Sequence, residues 1–243
     1  MILGLIQART SSTRLPGKVM KKLFDLPMLA HQVQRAKQSK LIDKLIVVTS
    51  DDSSDDVLEQ MCLEQGIDCF RGSLDDVLDR FYQAAKKEGA KHIVRLTGDC
   101  PLIDPSLIDS VIEFYLEGEL DYASNALEPT FPDGLDTEVF SFSALERASA
   151  RAAKPSQREH VTSYIYNNPD EFNIGVFKSD VDLSSHRWTV DTKEDFEFVS
   201  RVFEHLYPKN KHFNYMDVLE LLEQEPDLVK INSMYERNEG YKE

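Results

Sequence analysis

The chain is poor in basic charge and cysteine, and it has no long apolar run. Its 243 residues carry 28 basic against 43 acidic side chains, a net charge of −15. Nucleic acid and anionic membranes both select for a cationic face, so neither is expected as the main partner. Three cysteines, Cys62, Cys69 and Cys100, are an odd number without close metal-type spacing. Each lies in or beside an apolar run and reads as a small buried hydrophobe. Such sparing use of cysteine fits a reducing cytoplasm. The apolar start, Met1 to Ile6, lacks a basic flank and is too short for a signal segment or a membrane span. It is expected to be a buried first strand. Neither a Walker A loop nor a G-x-G-x-x-G fingerprint occurs.

What is present describes an α/β protein. With 41% hydrophobic residues, a chain of this length could bury roughly 70–75% of its unfolded surface without disulfides or metals. Short apolar runs at Ile2–Ile6, Leu45–Thr49, Ile67–Phe70 and Ile93–Leu96 predict strands. Helical spacing lies between them, and Asp104-Pro105 opens a further helix that Gly118 closes. This β-α-β order implies a mostly parallel sheet with helices on both faces. Further strands are expected at Tyr122–Ser124, Thr137–Phe140, Asn173–Phe177 and Arg187–Val190. Helices are expected at Ala144–Ala153, Glu159–Tyr166, Phe196–Leu206 and Tyr215–Glu223. No Gly/Ser/Pro-rich linker divides residues 1–243, so one domain is expected, with an inserted or appended sub-layer at about 120–185. The polar tail from Met234 is expected to be mobile.

The charge is unevenly spread. Arg9, Arg14, Lys18, Lys21 and Lys22 precede the first acid, Asp25, which makes a cationic island on an acidic protein. The loop Gln7-Ala8-Arg9-Thr10-Ser11-Ser12-Thr13-Arg14-Leu15-Pro16-Gly17-Lys18 combines three cations, four hydroxyls and a Pro-Gly turn. Arginine binds phosphate bidentately and lysine acts as a point charge, so this loop suits a polyphosphate. Asp99 follows the strand at Ile93–Leu96, at the sheet edge where open α/β sheets bind ligands. Asp191 likewise follows an apolar stretch, and as a helix start its bland role is an N-cap. Two strand-end carboxylates facing a cationic loop describe a Mg²⁺-assisted phosphoryl or nucleotidyl transfer centre. The acidic runs Asp51-Asp52 and Asp55-Asp56 read as solvated helix starts.

Arg9-x-x-Ser12-x-Arg14-Leu15-Pro16-Gly17-Lys18, Gly98-Asp99-x-Pro101 and Val190-Asp191-Thr192-x-Glu194-Asp195 together resemble the cytidylyltransferase family. That family includes the synthetases of CMP-sialic acid and CMP-3-deoxy-manno-octulosonate. Phe70-Arg71-Gly72-Ser73, Asp76-Val77-Leu78-Asp79-Arg80, Pro132-Asp133-Gly134-Leu135-Asp136 and Arg158-Glu159-His160-Val161-Thr162 resemble its spore-coat polysaccharide branch. The resemblance implies a Rossmann-like, GT-A-type nucleotidyltransferase fold. It also implies transfer of CMP from CTP to a small sugar, a sugar acid first, for nucleotide-sugar and polysaccharide synthesis. By position, Arg9 and Lys18 would be catalytic clamps on the triphosphate. Ala8, Ser12, Arg14, Arg71 and Ser73 would line the nucleotide, and Asp99 and Asp191 would hold Mg²⁺. Asp133, Asp136, Glu138, Arg158 and His160 would face the acceptor. A homodimer is a further expectation, supported by the aromatics of Tyr122–Phe142.

Most of the family has a glycine where this loop has Ser11. Serine tolerates positive φ poorly, so the loop either keeps negative φ there or is strained. Two rival readings stand beside transfer of CMP. A GT-A-type glycosyltransferase would carry a metal-binding Asp-x-Asp, of which Asp180-Val181-Asp182 is the sole instance. An inactive nucleotide-binding protein is the other.

Overall fold

The computed structural model describes residues 1–237. Strand β1 (Ile2–Gln7) leads into the cationic loop, a 3₁₀ turn (Lys18–Met20) and a small hairpin of β2 (Lys22–Leu23) and β3 (Leu26–Pro27). Helix α1 (Met28–Ala36), β4 (Lys44–Ser50), α2 (Asp56–Glu64), β5 (Cys69–Gly72), α3 (Val77–Glu88), β6 (His92–Thr97) and α4 (Pro105–Glu117) then alternate. Strands β7 (Tyr122–Ser124) and β8 (Glu138–Ser141) precede helices α5 (Phe142–Arg151), α6 (Pro155–Glu159) and α7 (Ser163–Tyr166). Strand β9 (Ile174–Val176), α8 (Lys193–Leu206) and α9 (Tyr215–Gln224) complete the order, followed by a 3₁₀ turn at Pro226–Ile231.

Seven strands form one sheet in the order β5-β4-β1-β6-β8-β7-β9. β5, β4, β1 and β6 are parallel, and β8 is antiparallel to both neighbours. The chain winds outward from β1 to β5 and then crosses back to β6. The switch point therefore lies between β1 and β6, and the crevice beyond their carboxyl ends is where such sheets bind ligands.

The period-2 pattern of the strands sorts side chains to two cores. Val47 and Leu45 pack with α1, α2, α4, α8 and α9, whereas Leu3, Leu5, Ile46 and Val48 pack with α3 and α5. Asp104 caps α4 by accepting from Ser106 N at 2.9 Å and Leu107 N at 3.0 Å. Its other oxygen takes Tyr215 N at 2.9 Å, which ties the start of α9 to the start of α4.

Several expectations change in three dimensions. β5 starts at Cys69 rather than Ile67. The region 120–185 supplies β7, β8 and β9 of the same sheet. Arg187–Val190 is no strand; it keeps one bridge, Asp133 to Arg187. Its carbonyls and amides serve loops instead, with Val190 N donating to Asp99 O at 2.8 Å. The helix expected at Glu159–Tyr166 breaks at His160, whose ψ of 57° is not helical. Of the aromatics in Tyr122–Phe142, Tyr122, Phe131 and Phe140 are buried within the chain and Phe142 is half-buried. The tail at 234–237 docks rather than trails. The Tyr235 hydroxyl donates to Glu194 at 3.0 Å, and Arg187 Nη1 donates to Glu236 O at 3.2 Å. The rest of that expected tail lies outside the described residues.

Candidate active site

The first loop is held in shape from beneath by a carboxylate that its own sequence does not contain. Asp55 is fully buried, not a solvated helix start. It accepts from the Thr10 amide and hydroxyl, both at 2.8 Å, and from Thr49 and Ser50 at the end of β4. Burial works against its charge, but these donors hold its pKa below the ordinary carboxylate value. Gly17 then turns the chain at φ 66°, a left-handed conformation that glycine adopts without strain. Its amide donates to Thr10 O at 3.0 Å, which closes the loop. Ser11 is not among the positive-φ residues, so the departure from glycine leaves no backbone strain there.

Gly98 lets the two central strands end against each other. A Cβ on Gly98 would stand 2.9 Å from both Ala8 Cβ and Gln7 O, and Gly98 N donates to Gln7 O at 2.7 Å. This brings Asp99 opposite the loop. Lys18, 8% exposed, reaches across with its ammonium 3.0 Å from Asp99 Oδ2 and 2.8 Å from both Asp191 Oδ1 and Val190 O. Burial lowers the lysine's pKa, but the two carboxylates outweigh it and leave the pKa raised. Burial likewise opposes the Asp99 charge; Lys18, Thr97 and Cys100 nonetheless bring its pKa down to about 2. Arg14 adds a second cation to Asp191 at 2.9 Å, and Arg187 a third at 3.3 Å.

Two chambers meet at this cluster. One, about 340 Å³, is lined by Gln7, Ala8, Arg9, Ser12, Thr13, Arg14 and Lys18 of the loop, and by Arg80, Arg95 and Gly98. The other, about 460 Å³, is lined by Asp133, Asp136, Glu138, Thr162, Tyr122 and Arg187. Arg14, Arg95, Thr97, Asp99, His160 and Asp191 belong to both walls.

In the second chamber, burial and Asp136 push the Asp133 carboxyl up to about 7, against the pull of Arg237 and Arg187. Burial also raises Asp136, although Arg237 donates to it at 2.5 Å. Burial opposes the Glu138 charge too, but its pKa ends low because Arg95, Thr162 and Tyr122 all bind it.

The structure does not bring every expected residue to the cleft. Arg71 turns away: its guanidinium donates to Ser50 O, Asp52 O and Glu59, and pairs with Asp56, so it fastens α2 to β5. Ser73 accepts from Asp76 N at 3.0 Å and lines neither chamber. Arg158 grips both oxygens of Asp76 and donates to Ser149 O, a brace between α6 and α3. Arg80 lines the loop-side chamber instead, 2% exposed and bonded to the Ser73 and Leu74 carbonyls.

Arg80 stands inside a recognisable motif and Arg187 opens the stretch read as a strand before Asp191, so the sequence held a signal for them. Asp55, Arg95 and Arg237 act across 43 to 101 residues of chain, and no local pattern marks them.

Among the described residues no three His, Cys, Asp or Glu side chains gather as a metal cage. Asp99 and Asp191, close enough for one ammonium to touch both, form a two-carboxylate oxygen set. That set fits Mg²⁺, which takes one or two carboxylates and completes its shell with water and substrate phosphates. Asp180-Val181-Asp182 lines neither chamber, and Asp182 caps Ser184 N at 2.9 Å.

A switch-point cleft with a cationic loop facing two carboxylates, Asp99 after β6 and Asp191 just before α8, defines a nucleotidyltransferase. The family profile described as cytidylyltransferase matches residues 3–239, and the chain belongs to that family. It is 39% identical to an uncharacterized protein of Methanocaldococcus jannaschii, over 100% of this chain and 98% of that one. It is 37% identical to the spore coat polysaccharide biosynthesis protein SpsF of Bacillus subtilis, over 84% of this chain and 86% of that one. Among solved structures, a cytidylyltransferase from Leptospira borgpetersenii superposes with a TM-score of 0.89 at 35% identity. That match covers 94% of this chain and 96% of the other. Among the described residues no helix is long and apolar enough to cross a membrane.

Proposed function

We propose that this protein transfers CMP from CTP to a hydroxyl of a small sugar, releasing pyrophosphate, in the synthesis of a surface polysaccharide or other glycan. The observation that carries the reading is the seam of the two chambers. There Lys18 is held within 3.0 Å of both Asp99 and Asp191, with the cationic loop on one side and the carboxylate-rich wall on the other. Transfer needs two substrates to meet at one phosphorus, and the seam is the common wall. The named role of SpsF in spore coat polysaccharide biosynthesis supports a glycan product.

Arg9 and Lys18 would neutralise the charge that develops on the departing pyrophosphate, an electrostatic task that a partly desolvated site performs well. Ala8, buried at the end of β1, leaves room for a base or ribose beside the loop backbone. Asp99 and Asp191 would hold Mg²⁺, which when bound supplies further charge neutralisation at the phosphates. Asp133, with its pKa near 7, is suited to receive the proton of the attacking hydroxyl. Asp136 would orient the acceptor's other hydroxyls. Arg14, at the junction, is the cation that a sugar carboxylate would meet, which makes sugar acids the first acceptors to screen.

Thermal shift with CTP, UTP, ATP and GTP, each with and without Mg²⁺, tests the reading before any acceptor is known. A ligand at ~100 times its Kd adds roughly 2.7 kcal/mol, or about 5–11 °C for a chain of this size. The expected result is a shift with CTP that Mg²⁺ enlarges, followed by pyrophosphate release with the right sugar. No shift with any nucleotide would overturn the proposal. A response confined to nucleotide sugars would favour a glycosyltransferase.

A further inference from the structure

A second cavity, about 260 Å³, opens away from the cleft, between α1 and the C-terminal end of α8. Its wall includes His31, Arg35, Phe203, Tyr207, Lys211 and His212, and no carboxylate of the described residues lines it. On a protein of net charge −15 that is an unusual concentration of cations.

Arg35 is the informative residue. It is 4% exposed, and it has no carboxylate within ion-pair distance among the described residues. A buried charge without a partner is costly, so such groups are ordinarily paired. Its Nε donates to Ile103 O at 3.0 Å, its Nη2 leans on Leu102 O at 3.5 Å, and its Cζ lies 4.3 Å from the centre of the Phe213 ring. These contacts compensate part of the burial and fix the fork. Its Nη1 makes no hydrogen bond with any described residue. Burial pulls the pKa down to about 10, with Asp104 and Asp217 opposing, so the guanidinium is still charged at neutral pH.

Around that fork the wall carries a second cation, Lys211, the rings of His31, Phe203, Tyr207 and His212, and the amides of Gln34 and Gln38. Lys211 Nζ lies 5.5 Å from the Tyr207 ring centre. His31 donates Nε2–H to Leu23 O at 2.7 Å and stands edge-on to Phe203 and Tyr207. Burial lowers its pKa, so it serves as an aromatic wall and not as a third charge.

We propose that this cavity is a binding site for a small phosphate monoester with a planar body. The phosphate would sit on Arg35 Nη1 and Lys211, and the ring would pack against Tyr207 and His31. The two cations match a group that carries close to two negative charges at neutral pH. The volume suits one phosphate and one ring. This site is independent of the transfer reaction and does not need the proposed function to be right.

Phenyl phosphate is the probe, titrated calorimetrically into the intact protein. One equivalent should bind, equally to wild type and to an Arg9→Ala/Arg14→Ala variant whose first loop has lost two cations. Lys211→Ala, an exposed position that should not disturb folding, is expected to weaken binding at least ~10-fold, because it removes a charge-assisted contact. Arg35→Gln should weaken it as well, with the far-ultraviolet circular dichroism checked for intact structure. Absence of binding overturns the proposal. So does binding that Arg9→Ala/Arg14→Ala abolishes while Lys211→Ala leaves it unchanged, since the anion would then sit in the cleft.

Discussion

Asp55 accepts both the backbone amide and the hydroxyl of Thr10 at 2.8 Å, across 45 residues of chain. The cationic loop is therefore not a free surface segment; it is pinned to the end of β4 by a buried carboxylate. An amide in place of that carboxylate would put an N–H toward donors that already need an acceptor. Asp55→Asn is expected to cost roughly 2–4 kcal/mol of stability and to raise KM for CTP. A urea midpoint unchanged from wild type would remove Asp55 from this role.

In the proposed reaction Lys18 has two tasks, one toward the phosphates and one toward Asp99 and Asp191. Lys18→Met keeps the apolar stem and removes the charge. Turnover should fall at least ~10²-fold. The Asp99 carboxyl, now at about 2, should rise, because burial is no longer opposed by the ammonium. In the wild-type protein this depressed value contributes stability that is complete above the unfolded pKa of about 3.9 and is lost as pH falls through 2. Carboxyl-carbon NMR titration reads the shift directly. An Asp99 that still titrates near 2 in the variant would show that Lys18 does not hold it there.

Asp133 behaves in the opposite sense. The folded chain keeps its proton up to about pH 7, whereas the unfolded chain releases it near 3.9. The native state thus binds more protons in that interval, and stability declines as pH rises from about 4 to 7, by at most about 4 kcal/mol. Asp133→Asn should flatten this slope. The variant should melt above wild type at pH 8 and close to it at pH 5, since Arg187 retains Asp195 and Asp191. Parallel melting-temperature curves for the two proteins across that range would reject the assignment.

The main elements could be read from local pattern because alternation and helical spacing are short-range properties. The strands at Ile2–Gln7 and Lys44–Ser50 follow from runs of β-branched and aliphatic residues, and Asp104-Pro105 opens α4 by a local cap. Gly17-Lys18 and Gly98-Asp99 were legible for the same reason, as turn residues directly after or near strands. Arg71 shows where that reasoning stops. It lies on the expected sheet edge, but nearby Asp56 and Glu59 of α2 claim its guanidinium. Arg158, likewise chosen from a motif, is claimed by Asp76.

The amino-acid sequence by itself determined the α/β class, the cationic loop and the choice of Asp99 and Asp191, because each is written in neighbouring residues. Tertiary structure alone decided which charges meet. It put Asp55 under the loop, Lys18 between Asp99 and Asp191, and Arg237 on Asp136. Burial then set whether each carboxylate lies low, as Asp99 does, or high, as Asp133 does. Ion pairs depend on distance through space and on exclusion of water, and neither quantity is a property of adjacent positions along a chain.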